Sequence, residues 1–144
     1  MGKASRAAGK LFELSTRKNL EARGFIVCKW TNTVEFDDKG EGKLMIAKSK
    51  YNPFLKRVIS EGSGFPDFVA IRHDRKLPHL CDVIGVESKT NIKTGLDTEE
   101  RKKAIFYLNN KIFSRIYIAY KEKNGRKNVV KYINVLDKYP DLLK

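Results

Sequence analysis

The sequence predicts an α/β domain built on a mixed sheet. Two observations carry this. Helical and extended signals follow one another in the order helix, strand, insertion, strand, strand, helix, strand, strand. The segment Leu80-Cys-Asp-Val-Ile-Gly-Val86 is apolar almost throughout, as expected of a central strand covered on both faces. A length of 144 residues with 41% hydrophobic side chains suits a single domain over 1–144. A chain of this size buries about two-thirds of its unfolded surface.

Residues 5–22 predict an amphipathic helix, with Ala8, Leu11, Phe12, Leu14 and Leu20 at near-helical spacing. Gly24 suits the position after its end. Phe25–Trp30 is a β-branched, apolar strand, with Trp30 expected in the core. Residues 31–63 form an insertion. In it Val34–Phe36 and Leu44–Ala47 flank a polar loop as a hairpin, and Pro53 breaks regular structure. Ser60–Pro66 is a Gly-rich turn. Asp67–Arg72 and Leu80–Lys89 are strands joined by a loop. Asp97 or Thr98 caps a helix running to about Lys111, with Ala104, Ile105, Leu108 and Ile112 on one side. Ser114–Tyr120 and Asn128–Val135 are strands joined through Asn124-Gly125, a strong hairpin-turn signal. A short helical turn follows.

Thirty Lys+Arg against 17 Asp+Glu gives a net charge of +13, which points to a polyanionic partner, nucleic acid first. The charge is uneven: net +5 over 1–30, +1 over 31–66, −2 over 67–100 and +9 over 101–144. An acidic island inside a basic protein suits an enzyme that holds a metal ion against a phosphate. No apolar run approaches the roughly 20 residues that span a bilayer. The N-terminal residues lack the apolar region of a signal peptide, so a cytoplasmic protein is expected, in the host cytoplasm if viral. Cys28 and Cys81 form no C-x-x-C and are expected as buried, reduced thiols.

The chemistry concentrates in the island. Asp67 opens one apolar strand, and Glu87-Ser88-Lys89 closes the next. Residues i and i+2 share a strand face, so Glu87 and Lys89 project together and Ser88 points away. If the two strands pair as a hairpin, Asp67 and Glu87 meet at one end of the sheet. Two carboxylates there would hold Mg²⁺ and leave sites for water and a phosphate oxygen. Lys89 would orient or deprotonate the water and stabilise charge at phosphorus. Glu99 and Glu100 are read as first-turn acids favoured by the helix dipole.

Pro66-Asp67 followed by Glu87-Ser88-Lys89 resembles the PD-(D/E)xK nuclease superfamily. Glu41-Gly42-Lys43 also matches E-x-K, but it lies before any Pro-Asp. Within that superfamily the chain is most similar to archaeal Holliday junction resolvases, over most of residues 5–120. Gly9-Lys-Leu-Phe-Glu13 matches a G-x-x-x-E metal-ligand motif, and Gly24-Phe-Ile-Val27 matches a G-F-x-V strand. Residues 60–67 match the Ser/Gly-rich turn before Pro-Asp. The 31–59 stretch and the long loop between the motif strands depart from the compact resolvases.

The resemblance implies a restriction-endonuclease-like core and a Mg²⁺-dependent endodeoxyribonuclease, with Mn²⁺ as a substitute. It implies action on branched DNA in recombination and repair, as a homodimer. It implies metal ligation by Asp67, Glu87, Glu13 and the Ser88 backbone carbonyl, with Lys89 completing the catalytic set. Linear DNA of a virus or mobile element is the neighbouring alternative. A non-catalytic basic nucleic-acid-binding protein is the alternative of a different class. Candidate DNA contacts are Arg6, Lys10, Lys50, Lys56, Arg57, Ser60, Ser63, Lys102 and Lys103. Tyr51 and Phe54 are expected to anchor the insertion on the core, with base stacking as the alternative.

Overall fold

The computed structural model describes residues 3–60 and 64–144. Helix α1 (Lys3–Ala22) leads into strand β1 (Ile26–Lys29) through Gly24. Gly24 has φ +88, a left-handed value that a residue without a Cβ adopts freely, so the helix stops there. Two hairpins follow: β2 (Asn32–Phe36) with β3 (Gly42–Ile46), and β4 (Ser49–Asn52) with β5 (Arg57–Ser60). Then come β6 (Phe68–His73), β7 (Cys81–Lys89), α2 (Thr98–Asn109), β8 (Arg115–Asn124), β9 (Lys127–Asn134) and α3 (Val135–Lys138).

Five strands form the main sheet in the order β1-β6-β7-β8-β9. Only β7 and β8 run parallel, because α2 crosses between them. β7 is the middle strand, as its apolar run predicts. Its even positions Ile84 and Val86 join Leu20, Val27 and Phe68 in the layer beneath α1. On the opposite face Ile116 and Ile118 pack with Leu96, Ala104, Tyr107 and Phe113 beneath α2. A Cβ on Gly85 would lie 3.0 Å from Pro66 Cγ, so this glycine lets the turn before β6 close onto β7.

The insertion divides into two parts. The β2–β3 hairpin is docked: Val34 is buried in the α2-side core, with Phe36 and half-buried Trp30 against it. The β4–β5 hairpin was not expected; Pro53 does interrupt regular structure, as it follows the last residue of β4 and sits in the turn to β5. Tyr51 is 58% and Phe54 94% exposed. They do not anchor the insertion, because the docked hairpin already fills the core on that side.

Two further expectations change. Leu11 and Leu14 are exposed, and the buried line of α1 is Phe12, Thr16 and Leu20 at four-residue spacing. Both cysteines are free and exposed. Cys28 alternates with buried Val27 on the edge strand β1, so it faces away from α1. Cys81 opens β7 beyond the packed layers, with its Sγ 3.5 Å from His73 Nδ1. The Asn124-Gly125 turn forms as expected, and β8 runs on to meet it.

Candidate active site

A step in the sheet makes the site. β6 begins pairing with β7 at Phe68, opposite Val86. β7 continues through Glu87, Ser88 and Lys89, paired only with β8. Asp67 therefore sits beside an unpaired length of β7. Its backbone N–H donates to Glu87 Oε2 at 3.1 Å, and its Oδ2 accepts the N–H of Ser88 at 2.8 Å. Its carbonyl accepts the N–H of Trp30 at 3.1 Å. Each carboxylate thus commits one oxygen to a backbone amide and keeps the other, Asp67 Oδ1 and Glu87 Oε1. Both acids are buried.

A lysine faces each remaining oxygen. Lys89 Nζ lies 3.3 Å from Glu87 Oε1 and donates to Glu100 Oε1 at 2.7 Å. Glu100 is held by a capping box at the start of α2. Its Oε2 accepts the Asp97 N–H at 2.9 Å, while Asp97 Oδ1 accepts the Glu100 N–H at 2.8 Å. On the α1 side, Lys29 Nζ lies 4.0 Å from Asp67 Oδ1 and donates to Glu13 Oε2 at 3.0 Å. The site is a carboxylate pair between two lysine–glutamate arms, one from each helical layer.

Burial dominates the electrostatics. It pushes the Asp67 carboxyl up to about 6; the Ser88 N–H opposes this, and the Glu13 charge adds to it. Glu87 is raised well above its ordinary value, by burial first and then by the Asp67 charge, against the pull of Lys89. Burial draws Lys89 down, but its hydrogen bond to Glu100 and the charges of Glu87 and Glu100 outweigh that and raise it. Lys89 is therefore an ammonium at neutral pH. Hydrogen-bonded to Glu100 and beside Glu87, it can orient a water and neutralise charge.

Asp67, Glu87 and Lys89 come together as expected. Glu13 is tied to the site by its hydrogen bond from Lys29, and its charge adds to the rise of the Asp67 carboxyl. Among the described residues no three His, Cys, Asp or Glu side chains gather into a metal-holding group. Two carboxylates and a backbone oxygen still fit Mg²⁺, which keeps waters and takes few protein ligands. In an extended strand the N–H and C=O of one residue point to one edge, so the Ser88 carbonyl lies on the side where its N–H meets Asp67.

Of the DNA-contact candidates, Arg6, Lys10, Lys56 and Arg57 are exposed. Lys102 is paired with Glu99 at 3.1 Å, and Lys103 is half-buried. Ser63 lies outside the described residues, as do the side chains of Lys50 and Ser60. Sequence reasoning missed Lys29 and underrated Glu100. The Asp97-x-x-Glu100 capping pattern was a usable signal, since it ties that acid to the strand end preceding α2. Nothing local marks Lys29, whose partners are 16 and 38 residues away.

No family model matches the chain, and neither a curated protein nor a solved structure matches it significantly.

Proposed function

We propose that this chain is a metal-dependent endodeoxyribonuclease of the PD-(D/E)xK type with a restriction-endonuclease-like core, acting on branched DNA. One observation carries the reading: Asp67 and Glu87 interlock through backbone amides at the step beside β7, each with one oxygen to spare and Lys89 adjacent. Two buried carboxylates with raised pKa values are poorly compensated anions. A divalent cation would compensate such a pair more fully than Lys29 and Lys89 do.

Asp67, Glu87 and the Ser88 carbonyl would hold Mg²⁺ or Mn²⁺. Bound there, the ion supplies a Lewis acid that activates water and neutralises phosphate charge. Lys89 orients the attacking water and offsets charge building on the phosphate oxygens. Glu100 aims Lys89, and Glu13 aims Lys29. The water oxygen would form the new P–O bond as the bond to the leaving deoxyribose oxygen breaks, with the water's proton passing to solvent and the leaving oxygen taking one up from it. DNA would lie against the exposed bases of α1 and the β4–β5 hairpin. Residues 42–60 carry five strong bases and no acid, with Phe54 at the exposed tip. Symmetric cutting of a junction needs two sites, so the reading includes a homodimer.

A second reading, a non-catalytic nucleic-acid binder, has one observation in its favour: Lys29 and Lys89 already face the two spare carboxylate oxygens. Cleavage separates the two. End-labelled four-way junction and linear duplex of the same sequence are incubated with Mg²⁺, Mn²⁺ or EDTA, beside the Glu87→Ala protein. Metal-dependent cutting that the substitution abolishes supports the nuclease, and the junction-to-duplex ratio assigns the substrate. Salt-sensitive binding without cutting under either metal overturns it.

A further inference from the structure

The opposite end of the sheet holds a cavity of about 420 Å³, within the range of small-molecule sites. It opens where α1 stops. The helix covers the sheet as far as Leu20, and the chain then turns at Gly24 into β1. Beyond that turn the early residues of β7 and β8 lack a helix above them. Leu20, Ile84, Tyr117 and Tyr132 form the apolar part of the cavity. Arg23, Arg72, Arg75 and Arg115 form the charged part, against the single carboxylate of Asp82. Four positive charges less one negative leave +3 in a small-molecule-sized space.

The choice of base is selective. The chain has nine arginines and 21 lysines, yet four arginines and no lysine line this cavity. A planar guanidinium fork matches phosphate oxygens in pairs and stacks on rings, which an ammonium does not do. Arg72 lies with its Cζ 4.2 Å from the Phe25 ring centroid, and its Nη1 donates to the Arg23 carbonyl at 3.1 Å. Arg23 lies 5.0 Å from the Tyr132 ring centroid. Stacking uses the guanidinium faces and leaves N–H groups at their edges for a ligand. Among the described residues the one arginine–carboxylate ion pair is Arg17–Glu21, elsewhere on α1. Asp82 is itself engaged, accepting from Ser114 Oγ at 2.6 Å.

This cavity is separate from the candidate active site. Asp82 and Glu87 are five residues apart on β7, about 17 Å at the rise of a strand. They also project to opposite faces.

We propose that the cavity binds a nucleotide unit, its phosphate on the arginines and its base against Tyr117 and Tyr132. The inference does not depend on the reaction proposed at Glu87. The nucleotide unit can be a free mononucleotide or the terminal nucleotide of a DNA strand, and both present the same phosphate and ring.

The full chain, in EDTA, is titrated calorimetrically with AMP, inorganic phosphate and adenosine, and with a single-stranded oligonucleotide carrying a 5′-phosphate or a 5′-hydroxyl. AMP is expected to bind one to one, at least about tenfold more tightly than phosphate or adenosine. The Arg72→Lys/Arg115→Lys protein keeps the charge and is expected to lose about tenfold or more in AMP affinity, whereas Arg126→Lys, at the exposed β8–β9 turn outside the cavity, does not. Arg75→Ala, at an exposed loop residue, is expected to weaken AMP in the same direction and serves if the double variant fails to fold. A clear preference for the 5′-phosphorylated oligonucleotide assigns the strand end as ligand; equal oligonucleotide binding alongside tight AMP binding assigns the free nucleotide. Phosphate binding as tightly as AMP, no AMP binding, or unchanged AMP affinity in the arginine variants overturns the proposal.

Discussion

Asp67 and Glu87 hold one another through the backbone: the Asp67 N–H donates to Glu87 Oε2, and Asp67 Oδ2 accepts the N–H that follows Glu87. Neither carboxylate can leave without freeing a buried amide of the other's segment. An unpaired buried N–H costs about 1–3 kcal/mol. This reciprocal lock also fixes where each acid's second oxygen sits.

Glu87→Gln keeps an acceptor for the Asp67 N–H and removes a buried charge. Its melting temperature is expected to equal or exceed that of the native chain, while DNA cleavage falls by more than about a hundredfold. Thermal unfolding followed by circular dichroism and a cleavage time course check the two halves. A large drop in melting temperature would mean that the charged form stabilises the fold, contrary to the raised pKa.

Without divalent metal, stability is expected to fall as pH rises from about 4 to 6. The Asp67 carboxyl titrates at 3.8 when unfolded and at about 6 when folded, so the native state binds the proton more tightly. The stabilisation is complete below 3.8 and is lost as pH passes about 6, amounting to about 3 kcal/mol. Glu87, also raised, acts in the same direction. Urea unfolding at a series of pH values tests this. Asp67→Asn should flatten the fall, and a slope unchanged by that substitution would place the titration elsewhere.

Mg²⁺ at pH 7.5 is expected to raise the melting temperature of the native chain, because the proposed site exists only when the two carboxylates are brought together by folding. Asp67→Asn and Glu87→Gln should show little of this rise. A rise that persists in both would assign the ion to another acidic site.

Glu100→Gln removes the anion that does most to raise Lys89 while leaving a hydrogen-bond acceptor beside Asp97. Turnover is expected to fall roughly tenfold with DNA binding unchanged. The alkaline limb of the pH–rate profile should move to lower pH, since Lys89 then loses its proton more easily. A lower rate with an unmoved limb would reduce Glu100 to a helix cap.

Arg57→Ala, on the exposed hairpin, is expected to make the salt dependence of DNA binding shallower by about one phosphate contact. Cleavage of bound DNA should be unaffected. An unchanged slope would take the β4–β5 hairpin off the DNA.

Local pattern was enough for most of the frame. The apolar run of β7, the Asn124-Gly125 turn and the Asp97 cap each act within a few residues, so each was legible in the chain. So was the shared face of Glu87 and Lys89, because strand alternation needs no tertiary information. The exposure of Leu11, Leu14 and the cysteines was not legible. An amphipathic pattern marks a face, but the layer packed against it decides which residues are covered. The second hairpin and the exposure of Phe54 follow from which half of the insertion docks on Phe106 and Trp30.

The sequence by itself determined the α/β order and the acid–acid–lysine set at two strand ends. Only the tertiary structure decided that β6 stops one residue short of Asp67's partners, so that Asp67 fills the open edge of β7. It alone brought Lys29 and Glu100 to the pair from opposite layers, and four arginines to the far end. The reason is range: propensity and alternation act over a few residues, whereas ion pairs across 16 or 38 positions and a hydrogen bond across 20 exist only once the sheet has set its register.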